Sequence, residues 1–314
     1  MAKPKIEPPP SAQEIIKRLE KVTATGNSRS RIFEDWLTLV EATLEAMPAH
    51  AKSMLERGEP AEDPPEVKAA WEKIAAKYPA WAFECFTQAF AVLCNGASEF
   101  QDLVGQVYMS WGWPNDYLGQ FFTPWHVARF MAMMTVGESG PKEVLERLES
   151  AIAASPVATA LTLAGLTVPD DVKLKRAWFF EKIIPAALAA GKFKPVTVFD
   201  PCVGSGVMLL AAASCYPHWM IDLGLVQFYG VDIDRLCVQM CRINVMLYGL
   251  NGFHLKCALA MSQAEVEALP VSEPVKSLIE EARASGDEDT AREVGARLRS
   301  MQLPMFVGEA AANV

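Results

Sequence analysis

The segment VTVFDPCVGSGVMLL, residues 196–210, constrains the fold of this 314-residue chain more than any other part of the sequence. Its first residues are β-branched or aromatic, which favours a buried strand that ends at Asp200. Gly204 and Gly206 then permit backbone conformations that a Cβ forbids. The apolar residues from Val207 onward predict a helix whose first amides point at whatever the loop holds. The pattern predicts an α/β unit whose glycine loop either cradles a cofactor or only turns the chain tightly.

A second unit of the same kind follows at residues 227–250, QFYGVDIDRLCVQMCRINVMLYGL. It predicts a short strand that ends at Asp232 and then an amphipathic helix. An acid at the end of the second strand of a βαβ unit commonly accepts hydrogen bonds from ribose hydroxyls, so Asp232 is the predicted ribose ligand. Asp234 is better placed as the N-cap of the next helix. The pair of units favours the cofactor interpretation of the loop.

A third segment, GQFFTPWHVARFM at residues 119–131, lies upstream of the loop. Phe121 and Phe122 are suited to pack around an adenine or a sulfonium group. Thr123 and Pro124 are expected to open a helix with a hydroxyl cap and a preset φ. The alternative is an ordinary helix start with a buried pair of phenylalanines.

These three segments together resemble the adenine-specific DNA methyltransferases related to the modification subunits of type I restriction systems. DPCVGSG matches the cofactor loop of that family, YGVDID matches its acidic second strand, and GQFFTP looks like its third signature. The resemblance covers roughly residues 96–261 and implies an α/β fold of the class I, Rossmann-like kind that binds S-adenosylmethionine. The positions that it assigns to cofactor binding are Phe121, Phe122, Thr123, Pro124, Asp200, Pro201, Gly204, Ser205, Gly206, Asp232, Ile233 and Leu259.

The sequence departs from the family where the base should bind. Family members hold the target adenine with an (N/D)PP(Y/F/W) motif after the fourth strand, and no such tetrapeptide follows Met261. The stretch DPPE at residues 63–66 has an acid in place of the ring and is expected to be a loop. At residues 253–261, FHLKCALAM, Leu259 stands where the family has a polar contact to the cofactor adenine, and leucine cannot accept its amine proton. No catalytic residue is therefore assigned.

A complete seven-stranded sheet ordinarily needs about 150 residues or more after the loop, and only 108 follow Gly206. We therefore expect a cut-down sheet in a methyltransferase-like domain at residues 113–261, with inserted helices at about 141–194. A helical domain at residues 1–112 precedes it, and a helical tail at residues 262–314 follows. In the tail, PMFVG at residues 304–308 is either a last strand or a docking peptide. The open edge of the first strand needs a cover from the tail, a helix or another subunit.

Apolar residues at helical spacing indicate the core of the N-terminal domain. The side chains expected in the N-terminal core are Ile32, Phe33, Trp36, Leu37, Leu39, Val40, Leu44, Trp71, Trp81, Phe83 and Phe86.

Another apolar segment lies further along the chain. Residues 151–166, AIAASPVATALTLAGL, predict either one buried helix or a helix with an apolar turn.

The formal net charge is -9, and a chain this acidic is poorly suited to bind a polyanion such as DNA without a partner. If the protein acts on DNA, we expect a partner such as a specificity subunit, or an oligomer, to provide the contacts that hold the DNA. Seven cysteines without a CxxC pair suggest reduced thiols in a cytoplasmic protein, and no metal site is predicted. Cys237 and Cys241 are expected to pack rather than to bind a metal. No segment resembles a membrane span or a signal peptide.

Three functions remain open at the level of the sequence. The first is an active adenine DNA methyltransferase whose base-binding motif has diverged or comes from another chain. The second is a noncatalytic relative that binds the cofactor and serves as a subunit or regulator in DNA modification or restriction. The third is a methyltransferase for small molecules or proteins. The family signatures favour the first two, and the missing motif favours the second over the first.

Overall fold

The structure, a computed structural model, describes residues 8–97, 100–111, 122–250, 253–285, 293–294, 297 and 306–308. The N-terminal part is helical, and capping side chains fix several helix starts: Ser28 accepts from the amide of Arg31, and Asp102 accepts from the amide of Gly105. Its helices are α1 Pro10–Val22, α2 Arg29–Arg57, α3 Pro65–Ala75, α4 Ala80–Gly96 and α5 Leu103–Ser110.

The middle of the chain is also helical, and a π-helical turn at Phe179–Ile183 joins its last two helices. These helices are α6 Trp125–Thr135, α7 Ser139–Ala153, α8 Pro156–Ala164, α9 Val172–Trp178 and α10 Ile184–Ala189.

A small sheet follows, with its strands in the order β3-β2-β1-β4. The first three strands are parallel, and the short β4 runs antiparallel to β1. The strands are β1 Val196–Asp200, β2 Val226–Asp232, β3 Phe253–Cys257 and β4 Phe306–Gly308. The remaining helices are α11 Val207–Ala213, α12 His218–Asp222, α13 Arg235–Leu247, α14 Gln263–Glu267 and α15 Glu273–Ser285. The chain is thus mostly helical around a small parallel sheet, which is consistent with a cut-down methyltransferase fold.

Both faces of the sheet are covered. One face, which includes Val198 and Phe228, packs in a core with α6, α7 and α11. Phe199 and Val231 point to the opposite face and pack in a second core with α14 and α15. All five residues of β1 are buried, as expected for a parallel strand with neighbours on both sides and layers above and below.

The N-terminal helices build a third core, which extends onto α13 through Cys237, Met240 and Ile243. The prediction of this core is confirmed for Phe33, Trp36 and their neighbours on α2. It is wrong for Trp81, whose side chain is 44% exposed on α4. The predicted domain boundary at residue 112 falls within residues 112–121, which lie outside the described residues, and it stays a prediction.

Residues 151–166 do not form one buried helix. The chain leaves α7 at Ala153 and starts α8 at Pro156, with Ser155 as its N-cap, because the Ser-Pro pair cannot continue the first helix. Leu163 and Leu166 are 62% and 81% exposed. In the described part of the chain, no single helix is long and apolar enough to cross a membrane; only the bent pair of α7 with residues 156–167 passes by length and composition.

Candidate functional site

The carboxyl ends of β1 and β2 meet at one edge of the sheet. Parallel pairing places Asp200 opposite Gly230, so that Asp232 stands two residues further along the neighbouring strand. The loop at residues 201–206 leaves β1 at this edge and enters α11. The structure therefore brings the two predicted acids and the glycine loop together.

The carboxylate of Asp232 holds the loop against the end of β2. Its Oδ2 accepts from the Gly204 amide at 2.9 Å, and its Oδ1 accepts from the Asp234 amide at 2.9 Å. Asp234 in turn caps α13 by accepting from the Leu236 amide at 2.8 Å, which confirms the predicted N-cap. One acid thus fixes the positions of both the loop and the start of the next helix.

Phe122 lies against the loop from the upstream segment. A Cβ built on Gly204 would lie 3.2 Å from Cε1 of the Phe122 ring, and Gly204 itself has a φ of +52°. The ring also packs on Tyr108 of α5, with the two centroids 5.5 Å apart. Phe121 lies outside the described residues. The structure therefore brings Phe122, and with it the upstream motif, to the glycine loop.

Gly206 faces a different neighbour. Its φ is +91°, and a Cβ there would lie 2.6 Å from Sγ of Cys241 on α13. Cys241 and Cys237 are both buried in apolar surroundings, as expected for packing cysteines. Burial, followed by the nearby charges of Asp200, Asp102 and Asp232, raises the pKa of the Cys241 thiol well above its ordinary value. The second glycine is therefore required for the close approach of loop and helix.

A buried polar network supports the loop from behind. The Ser205 hydroxyl donates to Oδ2 of Asp102, and Nδ2 of Asn244 donates to Oδ1 of Asp102 at 2.7 Å and to the Ser205 carbonyl at 2.8 Å. Oδ1 of Asp102 also accepts from the Gly105 amide at 2.8 Å. Ser205 was predicted to contact the cofactor, but its hydroxyl is engaged with Asp102 and anchors the loop to α5.

Sequence reasoning missed Asp102, Tyr108 and Asn244. Asp102 and Ser205 are 103 residues apart in the chain, and Asp102 and Asn244 are 142 apart. The only local signal was an aspartate three residues before Gly105, which indicates a helix cap and nothing more. Their connection becomes visible only when the helices pack.

The site makes ionisation of its acids costly. Burial raises the pKa of Asp200 from 3.8 to about 6; the Cys202 amide lowers it and the charge of Asp232 raises it. Burial also raises the pKa of Asp102, against the lowering effect of hydrogen bonds from Ser205, Gly105 and Asn244. Carboxyl groups with shifted pKa values, such as Asp200 at the strand edge and Asp102 behind the loop, are typical of functional sites.

The remaining predicted residues lie around this edge. Ile233 packs beside the second face of the sheet, and its carbonyl accepts from the thiol of Cys257. Leu259 belongs to a 3-10 turn, Ala258–Ala260, after β3, and its side chain lies outside what is described. Pro201 begins the loop, half-buried.

The hydroxyl cap expected at Thr123 is wrong. Pro124 occupies the N-cap position of α6, and no side chain there accepts a hydrogen bond from the helix. Pro124 has a φ of -59° and a ψ of 142°, the non-helical backbone that an N-cap residue adopts.

The DPPE stretch at residues 63–66 has a structural role. Pro64 is the N-cap of α3 and Pro65 its first residue, and Asp63 hydrogen bonds to His50 at 2.9 Å. The expectation of a loop is confirmed for Asp63 and Pro64 and is wrong for Pro65 and Glu66, which form the first turn of α3. The described residues contain no cluster of three or more His, Cys, Asp or Glu side chains that could hold a metal ion.

The class that this edge defines is an α/β protein with a glycine loop between β1 and α11 and an acid at the end of β2. The family model for N-6 DNA Methylase matches residues 182–269, which contain the loop, both acids and all three parallel strands. The match supports the relation to adenine-N6 DNA methyltransferases that the motifs indicate. None of the curated proteins compared matches the sequence.

Proposed function

We propose that the protein binds S-adenosylmethionine at the carboxyl edge of β1 and β2, in a Rossmann-like methyltransferase domain, and acts in adenine modification of DNA. The observation that carries the proposal is the convergence of Phe122, Gly204 and Asp232, which come from three separate motifs. The family that matches residues 182–269 uses this cofactor, whose sulfonium supplies a methyl group.

The residues present fit the cofactor in shape and in charge. Glycine at position 204 leaves space between the loop and the Phe122 ring that a Cβ would enter. Each oxygen of Asp232 accepts a backbone amide, and because a carboxylate oxygen can accept more than one hydrogen bond, the same group would also accept the ribose hydroxyls. Phe122 would form an aromatic wall for the adenine or the sulfonium. Because burial raises the pKa of Asp200, a cationic ligand beside it would relieve the cost of its charge.

We further propose that this chain does not itself supply the group that holds the target adenine. Its only DPP stretch starts α3 in the N-terminal part, and no (N/D)PP(Y/F/W) motif follows Met261. Base flipping needs a stacking ring and a polar acceptor at the amine. The chain would then act as a noncatalytic subunit or regulator, or would complete its site with a motif from a partner. The net charge of -9 supports a partner for gripping duplex DNA as well.

Calorimetry with S-adenosylmethionine tests the first half of the proposal. We expect the wild type to bind, and Asp232→Asn to weaken binding by about tenfold or more, because the amide cannot accept with both of its polar atoms. Asp222→Asn, on the exposed surface of α12, is the matched control and should bind as the wild type does. No heat with the wild type, or equal affinity in Asp232→Asn, would remove the cofactor from this edge.

Transfer of tritium from labelled S-adenosylmethionine to unmethylated DNA tests the second half. We expect the purified chain to bind the cofactor and to leave adenine unlabelled. Labelled N6-methyladenine in the DNA would show that the chain is an active methyltransferase with a diverged base-binding motif. The second measurement is interpreted on a chain that binds the cofactor in the first; binding with transfer would overturn only the second half of the proposal.

A further inference from the structure

A cavity of about 410 Å³ opens on the surface of the helical region that precedes β2. It lies between α9, the π-helical turn and α12. Its lining consists of Lys173, Arg176, Ala177, Phe180 and Trp219. The cavity is open to solvent rather than enclosed, so a ligand bound there keeps part of its surface exposed.

Two aromatic rings form the apolar wall of this cavity. Phe180 and Trp219 pack edge to face, with centroids 5.3 Å apart and an interplanar angle of 83°. Cζ of Arg176 lies 5.6 Å from the centroid of Phe180, so the guanidinium group is held at the wall by a cation–π contact. Both rings are only partly buried and leave aromatic surface to the cavity.

Two cations stand beside the aromatic wall. Lys173 and Arg176 are three residues apart on α9 and therefore neighbours on its surface. Among the described residues, no carboxylate forms an ion pair with either one; the nearby Asp170 pairs with Lys175, and Asp222 of α12 pairs with His218. Asp171 and Glu181 lie in the same segment, but in the described part of the chain neither Lys173 nor Arg176 has a carboxylate in contact, so both charges remain available to an anion.

We propose that this cavity, which we call the α9 pocket, binds a nucleoside phosphate. The base packs on the rings of Phe180 and Trp219, and the phosphate is held by Lys173 and Arg176. Stacking on aromatic side chains combined with basic groups at the phosphate is how proteins hold unpaired nucleotides without sequence preference. Such a ligand is either a free nucleotide or one unit of a single strand, because the base faces of a duplex are covered by stacking.

The α9 pocket is separate from the candidate cofactor site. Trp219 belongs to α12, which precedes the first residue of β2, whereas Asp232 ends that strand. Seven residues at 3.3 Å each place the two ends of β2 about 20 Å apart. The inference therefore does not depend on the binding of S-adenosylmethionine, and it should hold equally in Asp232→Asn.

Fluorescence anisotropy with a labelled oligothymidylate of twelve residues tests the pocket, and competition with thymidine monophosphate distinguishes the two sources. We expect the oligonucleotide to bind and Lys173→Ala/Arg176→Ala to weaken it by about tenfold. The double variant should also lower the slope of log affinity against log salt concentration by about 0.7, since one phosphate contact on a single strand is lost. Competition by the monophosphate identifies the free nucleotide as a ligand; binding of the oligonucleotide without competition identifies the strand.

Matched variants keep the test specific. Lys52→Ala/Lys142→Ala removes the same charge from two lysines on α2 and α7 whose side chains are 75% and 77% exposed, and it should leave affinity unchanged. Trp219→Leu should weaken binding, while Trp81→Leu, which replaces an exposed tryptophan on α4, should not. The proposal is overturned if neither probe binds, if the two lysine controls lose as much affinity as the pocket variant, or if polyglutamate competes as well as the oligonucleotide.

Discussion

Gly204 and Gly206 stand two residues apart in one loop and have different tasks. Both have a positive φ, which only glycine adopts without strain. Gly204 faces the Phe122 ring at the candidate site, whereas Gly206 faces Cys241 of the supporting helix. Substitutions should therefore separate ligand binding from packing within a single motif.

We expect Gly204→Ala to weaken S-adenosylmethionine binding by about tenfold. The added Cβ, 3.2 Å from Phe122, would push the ring into the space that the ligand needs. Gly224→Ala is the control, because Gly224 has a similar φ of +67° and nothing within 4 Å of an added Cβ. Calorimetry on both variants, with melting curves to compare backbone strain, checks the prediction. An equal loss of affinity in the two variants would contradict it.

Gly206→Ala should destabilise the fold by about 2 to 4 kcal/mol, from strain at a positive φ and from overpacking. The added Cβ would lie 2.6 Å from Sγ of Cys241. Cys241→Ala in the same chain should recover the overpacking part, because it removes the sulfur atom. Urea unfolding of the two single variants and the double variant gives the coupling free energy. A coupling near zero would mean that the contact with Cys241 does not constrain the loop.

Asp200 should make stability depend on pH. Its folded pKa of about 6 is above the ordinary 3.8, so between these values the folded state holds a proton that the unfolded state has lost. The free energy of unfolding therefore falls as pH rises from about 4 to 6, by up to about 3 kcal/mol. Asp200→Asn should remove this loss. The free energy of unfolding of the variant minus that of the wild type should therefore be larger at pH 7 than at pH 4.

Urea unfolding at pH 4 and pH 7 measures this difference. Asp170→Asn, at a side chain that is 97% exposed, should show no comparable change between the two pH values. If the difference in free energy of unfolding between Asp200→Asn and the wild type is the same at both pH values, burial does not govern the ionisation of Asp200.

At the scale of the elements, Asp102 joins α5, the glycine loop and α13. Asp102→Ala should cost about 2 to 5 kcal/mol, because Ser205, Asn244 and the Gly105 amide would lose a shared buried acceptor. Asp63→Ala removes a half-exposed carboxylate that pairs with His50 and should cost less than about 1 kcal/mol. Chemical denaturation compares the two. Similar costs would show that the buried network adds no more than a surface pair.

The sequence predicted elements well where local chemistry decides. The strand, loop and helix at residues 196–213 and the cap at Asp234 are set by glycines, apolar runs and an aspartate within a few positions. It failed where neighbours decide: α8 starts at Pro156 with exposed leucines, and Trp81 points to solvent although its apolar ring suggested a core position. Periodicity marks an apolar face but does not show which side chains find a neighbour.

At the scale of the whole molecule, the candidate site could be predicted only in part. The positions of Gly204 and Asp232 followed from their places at strand ends. The supporting residues Asp102 and Asn244 could not be found, because their contacts join segments more than 100 residues apart. The role of PMFVG also remained open in the sequence, and the structure resolves it: Phe306–Gly308 pairs with β1 and covers the predicted open edge.

Removing residues 302–314 should expose that edge and promote self-association, because β1 would present unpaired backbone groups. Removing only residues 309–314 keeps β4 and is the control. Light scattering after size-exclusion chromatography measures the mass of each variant. If both truncations elute with the mass of the full chain, β4 does not protect the edge.

The pairing of β4 with β1 also sets an order of events during synthesis. Thr197 pairs with Gly308, so more than a hundred further residues must leave the ribosome before this ladder can close. At ordinary translation speeds that interval lasts roughly 5 to 20 seconds. During this interval one edge of β1 has no hydrogen-bonding partner strand. A chaperone that binds extended segments would bind the nascent chain at that edge.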